Sequence, residues 1–319
     1  METVTITREA PAATRQLRFR PITMADLPAI RAILAATPAD KSGRTCDFTV
    51  AGIYMWIDYF YYQYCIVDDT LFIKGVTEND VTRPAFSVPV GPIPIGEAMG
   101  LLSEYCREHN TPLRFSAVPE SRLADFLHEG TFVVEELTDW ADYLYPAAQL
   151  ATLSGKAMNK KRNHVNRFVT DNPGYRFEPI TAENVAEVER FMESCDETAD
   201  AGEMAEFERS QVEDVIRRYG EYGFEGALLR DNSGEIVAFT VGEVIGDTLY
   251  VHIEKMSHAV AGAGETVNKL FAAAMVDRYG VAHINREEDV GDEGLRKAKL
   301  SYHPERLLKK YNMHYVGRQ

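Results

Sequence analysis

The apolar pattern of residues 17–34, LRFRPITMADLPAIRAIL, changes period partway along. Its first residues alternate as in a short strand. Leu27, Ile30, Ile33 and Leu34 then recur three and four apart, as on one face of a helix. Residues 175–192, YRFEPITAENVAEVERFM, repeat the pattern at an offset of 158. Arg18/Arg176, Phe19/Phe177, Pro21/Pro179, Ile22/Ile180 and Thr23/Thr181 are identical pairs, and Leu27/Val185, Ile30/Val188, Ile33/Phe191 and Leu34/Met192 keep the apolar stripe. Each copy predicts a strand and then a helix, with Thr23 or Thr181 as N-cap, its hydroxyl accepting a first-turn N–H. A repeat spaced by half the chain predicts duplication of a whole domain.

The remaining pattern is mixed α/β. YCIVDDTLFIKGV predicts a hairpin turning at Asp68-Asp69, IGEAMGLLSEYCREH an amphipathic helix, and LRFSAV a strand. GALLRDNSGEIVAFTVGEVIGDTLYVHIEKM predicts a three-stranded antiparallel meander with turns at Asp231–Gly234 and Gly246-Asp247. A glycine-containing loop, SHAVAGAGE, leads to the helix TVNKLFAAAMVDRYG and the short strand VAHIN. At helical spacing Ile53, Trp56, Ile57 and Phe60 form a core stripe. The expected organisation is a disordered leader over 1–15, one domain over 16–150 and a second over 151–319, joined near 145–170.

A length of 319 residues suits two domains, and a 45% apolar content supports a sizeable core. The net charge of −15 opposes non-specific binding to nucleic acid or anionic lipid. DNA is therefore not an expected partner, and a polyanion needs a local basic patch. Cys46, Cys65, Cys106 and Cys195 lie far apart with no zinc-type spacing, so no metal site is expected, and reduced thiols in a cytoplasmic protein are. No run reaches the roughly 20 apolar residues of a membrane span, so no integral membrane association is expected.

Four stretches carry candidate chemistry. Lys156–Arg167 holds Lys156, Lys160, Lys161, Arg162 and Arg167 with no acid. As a helix it is either a phosphate-binding face, with Lys160, Lys161 and Arg167 as contacts, or a solvated linker. The Ala261-Gly262-Ala263-Gly264 loop precedes a helix, so Gly262 and Gly264 either open an anion site or simply permit a tight turn. Strand alternation puts His252 and Glu254 on one face.

The fourth stretch is INREEDVGDEGLRKAKLSYHP, residues 284–304. Asn285, Glu287 and Asp289 emerge from a strand at alternate positions. Asp292 is a fitting N-cap for a helix from Glu293, on which Arg296 and Lys299 share a face. Tyr302 follows the helix, and Pro304 stops it. Surface ion pairs contribute only ~0–1 kcal/mol each. So dense a charge cluster therefore favours a site over stability alone. The expected cleft combines Asn285, Glu287, Asp289, Arg296, Lys299 and Tyr302, with Glu254 opposite. It suits a zwitterionic group: a carboxylate at Arg296, an ammonium at Glu287 or Asp289. Acyl transfer needs a base, Glu287 or Asp289, and a donor to the leaving group, Tyr302.

DFTVAGIYMWIDYF, LATLSGKAMNKKRNHVNRF and INREEDVGDEGLRKAKLSYHP together resemble the phosphatidylglycerol lysyltransferase C-terminal-domain family, in its short soluble branch. The resemblance runs from about residue 17 to the end. It implies two tandem GNAT-like domains, each a mixed, mostly antiparallel sheet flanked by helices, similar in architecture to Fem-type aminoacyltransferases. It further implies transfer of an acyl or aminoacyl group from acyl-CoA or aminoacyl-tRNA to an amine or hydroxyl acceptor, with no permanently bound cofactor. In that fold the acyl group lies where two neighbouring strands splay, which brings Glu254 toward an incoming amine. The competing expectation is a non-catalytic protein of this fold that binds a small charged metabolite.

Overall fold

A computed structural model describes residues 15–194 and 203–317. The expected leader, except Arg15, lies outside the described residues, as does Cys195. The Asp68-Asp69 turn forms as the pattern requires. Both residues take left-handed φ, 45° and 56°, which short acidic side chains tolerate and a two-residue hairpin needs.

The chain lays down β1 (Arg20–Pro21), β2 (Gln63–Val67), β3 (Thr70–Thr77), β4 (Asp80–Phe86), β5 (Arg114–Pro119) and β6 (Thr131–Glu136). It continues with β7 (Asp142–Pro146), β8 (Arg176–Pro179), β9 (Glu225–Arg230), β10 (Ile236–Ile245), β11 (Thr248–Met256), β12 (His283–Asn285), β13 (Arg306–Leu308) and β14 (Lys310–Gly317). One sheet has the order β1-β2-β3-β4-β5-β14-β6, and the other, from its matching edge, β8-β9-β10-β11-β12-β7-β13. The two orders correspond strand for strand. The repeated segments supply the edge strands β1 and β8 and the helices Leu27–Ala35 and Val185–Ser194 that follow them. In each sheet one neighbouring pair is parallel, β4 with β5 and β11 with β12, and is joined by a crossover helix, Ile95–Glu108 or Ala263–Tyr279.

The sheets do not divide at residue 150. Strand β7, from before that point, pairs with β12 and β13 in the second sheet, and β14, the last strand, inserts between β5 and β6 in the first. The first residues of the two exchanged strands meet. Asp142 Oδ1 lies 2.7 Å from Lys310 Nζ, and both side chains are essentially inaccessible. One apolar cluster spans the two halves, uniting Ile30, Leu34 and Ile53 with Val188, Phe239 and Ile253. Trp56 is partly buried on this cluster among Tyr59, Phe60 and Phe207. A second cluster lies beneath the helix Ala263–Tyr279, where Phe271 and Met275 meet Leu249, Val251, Tyr145 and Ile284. The basic segment forms the helix Asn159–Asp171, seated by Val165 and Phe168.

Candidate functional site

Glu254 owes its orientation to a bulge. Val241 pairs with Ile253 and Gly242 with Val251, so His252 has no opposite residue. A Cβ on Gly242 would lie 2.2 Å from the Tyr250 carbonyl oxygen, so only glycine allows this approach. The bulge overturns the expected alternation. Nδ1 of His252 lies 2.6 Å from Glu287 and Nε2 3.1 Å from Glu243, whereas Glu254 faces the crossover helix and accepts from Asn268 Nδ2 at 3.1 Å. The β11–β12 pairing ends at Tyr250↔Asn285. Past that point Arg286 enters the gap, and its Nη2 donates to Glu254 Oε1 at 2.9 Å.

Among the described residues, four buried side-chain atoms have no hydrogen-bond partner: Asp47 Oδ2, Thr240 Oγ1, Asn268 Oδ1 and Arg286 Nη1. The last three belong to residues around Glu254, since Thr240 is its register partner on β10. An unmet buried polar atom costs about 1–3 kcal/mol, so three on residues around one carboxylate make this the candidate site. The wall opposite comes from the basic helix. Lys161 Nζ stands 4.0 Å from the Tyr302 ring centre, and the Arg286 guanidinium stands 4.9 Å from the same centre. Lys161 also pairs with Glu265 at 3.4 Å, as does His164. The side chains of Glu254, Arg286 and Lys161 are 11%, 12% and 15% exposed.

Burial lowers the pKa of Lys161, opposed by Glu265. Burial is the largest influence on Arg286 and works against its charge, but Glu254 and the other neighbouring groups together outweigh it and hold its pKa above the ordinary value. Burial raises Tyr302, whose hydroxyl stays protonated near neutral pH. The cluster thus offers one unused cationic donor, one unused amide acceptor, a hydroxyl and a carboxylate. That set suits a group with an oxygen acceptor at one end and an ammonium at the other.

The expected cleft is only partly assembled. Glu254, Tyr302 and Lys161 come together, but the other acids and bases point elsewhere. Asn285 is buried and donates from Nδ2 to the Arg44 carbonyl and to Asp142, both at 2.7 Å. Glu287 has φ 56°, which breaks the assumed extension and turns it to His252. Asp289 is saturated by Arg296 Nε at 2.9 Å, Arg296 Nη2 at 2.6 Å, Tyr143 and the Gly291 N–H. Burial pushes its pKa up, yet these bonds outweigh that and hold it below the ordinary carboxylate value, which makes it a poor base. Arg296 spends its remaining reach on Asp139 at 2.7 Å. Asp292 caps the helix Glu293–Leu300 as expected, accepting from the Leu295 N–H. Lys299 is buried and donates to the Glu288 carbonyl.

The glycine loop has a packing explanation. Gly262 takes φ 81° at the N-cap of the crossover helix, and a Cβ there would lie 2.2 Å from the His164 carbonyl oxygen. A Cβ on Gly264 would lie 2.6 Å from Met256 Sδ. The faces left bare by both glycines are therefore filled by protein. On the basic helix, Lys160 is exposed on the outer side and Arg167 pairs loosely with Asp171 at 3.5 Å, while Lys161 alone of the three reaches the cluster. Cys46, Asp142 and Glu288 converge as metal ligands could, but Lys310 Nζ sits among them at 3.3, 2.7 and 3.6 Å and supplies the cation.

Sequence reasoning missed Arg286, Asn268, Thr240 and Glu265. Gly242 within a strand pattern was a usable signal, because an isolated glycine there marks a bulge or a close approach. Asn268 within the apolar run of its helix was another.

The sequence pattern of the family described as phosphatidylglycerol lysyltransferase, C-terminal, matches residues 40–314. A conserved protein of unknown function from Bacteroides thetaiotaomicron is 32% identical, covering 94% of this chain and all of that one, with a TM-score of 0.83. The L-PGS of Bacillus licheniformis is 15% identical over 97% of this chain and 95% of its own, with a TM-score of 0.63, and shares the fold. FemX, 11% identical over 94% of this chain and 97% of its own, has a TM-score of 0.59. An uncharacterized protein of Mycoplasmoides gallisepticum is 26% identical over 176 residues, 53% of this chain, so the match spans about half the length (54%) of that curated relative.

Proposed function

This chain belongs to the phosphatidylglycerol lysyltransferase C-terminal family, and from that membership we propose that it is an aminoacyltransferase whose donor group sits at Glu254. The observation that carries the reading is the gathering of unmet polar atoms from Thr240, Asn268 and Arg286 about one carboxylate. The α-ammonium of an aminoacyl ester is received by Glu254 and Asn268 Oδ1. The acyl oxygen is received by Arg286 Nη1. As an amine or hydroxyl attacks the carbonyl carbon, charge builds on that oxygen, and a fixed guanidinium N–H binds it more strongly than the neutral carbonyl; the ester C–O bond then breaks, and the departing donor hydroxyl takes the proton the nucleophile gives up. Tyr302 serves through its ring, holding Lys161 and Arg286 at the mouth.

Aminoacyl-tRNA fits better than acyl-CoA as donor. The crossover-helix loop that would cradle a pyrophosphate is packed against His164 and Met256. Lys160 and Arg167 extend the charge of Lys161 outward along the basic helix, toward where a nucleic-acid backbone would run. The test is release and transfer of labelled amino acid from a mixed pool of charged tRNA. The wild-type chain should consume at least one aminoacyl-tRNA, and Arg286→Gln should slow it about 100-fold. A variant as fast as wild type would remove Arg286 from the chemistry, and an inert wild type with tight binding would favour the metabolite-binding reading.

A further inference from the structure

The first sheet has its own parting of parallel strands, and the proposed transfer leaves it unused. β4 and β5 pair only at Phe86↔Phe115. Beyond that pair lies a chamber of about 20 Å³, bounded by Ser87, Ser116 and Ala117 and by three polar groups, Glu78, Asp47 and Tyr62. Twenty cubic ångströms holds one water-sized group. Ser116 has one hydroxyl proton but meets two acceptors, Glu78 Oε2 and, at 2.8 Å, Asn312 Oδ1. The amide orientation of Asn312 is set by its donation to Asn79 at 3.0 Å. Glu78 must therefore bring a proton of its own to this contact or leave it unsatisfied. Burial in the chamber raises its pKa to about 7, opposed by the Ser116 contact.

A much larger groove, about 780 Å³, lies next to the chamber, and Phe48 and Val90 line both. Its walls are apolar, with Ile33, Pro89 and Ile93 among them. Its two rim cations are already engaged, Arg122 2.7 Å and Lys41 3.7 Å from Asp125, so the groove has no spare charge for an anionic ligand. The inner end is the reverse. Asp47 competes with Asp142 and Glu288 for the single ammonium of Lys310, and among the described residues Glu78 has no cation within ion-pair distance.

We propose that the first half binds a primary amine carried on an apolar body. The body occupies the groove on Ile33, Val90 and Ile93, and the ammonium passes Phe48 to pair with Glu78. Volume and charge both fit: 780 Å³ suits a small organic molecule, and the adjoining chamber is acidic and water-sized. This site stands apart from the Glu254 cluster and does not depend on the transfer reading. An alkylammonium pairs with ionised Glu78, so binding below neutral pH expels the Glu78 proton to solvent. The groups facing Glu78 are Ser116, Asp47, Tyr62, Cys46 and Lys310. Burial pushes Tyr62 and Cys46 far upward, and the surrounding acids hold Lys310 charged against its burial.

The experiment is calorimetric titration of the full chain with 4-phenylbutylamine, and with 4-phenylbutanol and 4-phenylbutyrate as controls of equal size. At pH 8 the amine should bind at least 10-fold more tightly than either control, and should weaken as pH falls through 7. Glu78→Gln, an isosteric change, should cost at least 10-fold. Ala36→Trp, at an exposed position on the groove wall, should abolish binding without touching the chamber. Glu254→Gln should leave the titration unchanged. Equal binding of the alcohol, an unaltered Glu78→Gln titration, or loss in Glu254→Gln with retention in Glu78→Gln would each overturn the proposal.

Discussion

The two densest ionic clusters use the same residue types to opposite ends. Where the exchanged strands meet, Lys310 is ringed by Asp142, Asp47, Glu288 and the Cys46 thiol, and Asn285 and the Cys46 N–H complete Asp142. Around Glu254 the side chains are more open than those of Lys310 and Asp142, and Thr240, Asn268 and Arg286 each keep an unmet atom. The first cluster ties the halves together and, among the described residues, leaves one atom without a hydrogen bond, Asp47 Oδ2, which lies 3.0 Å from the Lys310 ammonium, whereas the second leaves three such atoms. Charge density alone does not separate structure from site; the account of who satisfies whom does.

The largest expected effect comes from breaking the first cluster. Lys310→Met leaves Asp142 buried without its cation and should cost about 3–5 kcal/mol in urea unfolding. Burial already drives the Asp142 pKa up, with Lys310 as the principal opposing influence. A loss under ~1 kcal/mol would show that the strand exchange does not depend on this pair. The reverse behaviour is expected at the open cluster. Thr240→Val replaces an unpartnered buried hydroxyl by a methyl group of the same shape, so stability should rise by about 1 kcal/mol while transfer slows. If stability falls instead, Thr240 already has a partner and the cluster is less open than described.

A third effect is a pH dependence between the two clusters. His252 is buried, which lowers its pKa, but Glu287 and Glu243 outweigh burial and raise it to about 9. The unfolded imidazole titrates near 6.5. The extra stability is thus fully present below pH 6.5 and is lost as pH rises through 9. Melting temperature should fall over that window and fall less in His252→Gln. The smallest effect is expected at Arg296, which the sequence pattern favoured as a carboxylate anchor. Its fork is spent on buried Asp289 and exposed Asp139 and not on the Glu254 cluster, so Arg296→Lys should leave the transfer rate within about twofold. A large loss of rate would return this ion pair to the site.

Local signals in the sequence were reliable. The repeat placed β1 and β8 at matching edges, Asp68-Asp69 made the hairpin, and Asp292 capped its helix. Each rests on interactions within a few residues. The strand exchange was not legible, because the alternation in β7 and β14 says that they pair but not with which sheet. The site was half legible for a similar reason. Assuming unbroken extension put Glu254 beside His252 and Glu287, and one bulge with one left-handed residue reversed this and brought Arg286 to Glu254 instead. Asp289 and Arg296 were expected to hold opposite ends of a zwitterionic group, and they pair with each other instead.

In the proposed transfer an ammonium-bearing acyl group completes the Glu254 cluster. Calorimetric titration with a panel of amino-acid amides and their desamino counterparts measures that preference. At least one amide should bind, its desamino counterpart should bind at least 10-fold more weakly, and Glu254→Gln should lose the difference. If the desamino compound binds as well as the amide, or Glu254→Gln discriminates as the wild type does, the ammonium is not what this carboxylate was built to hold.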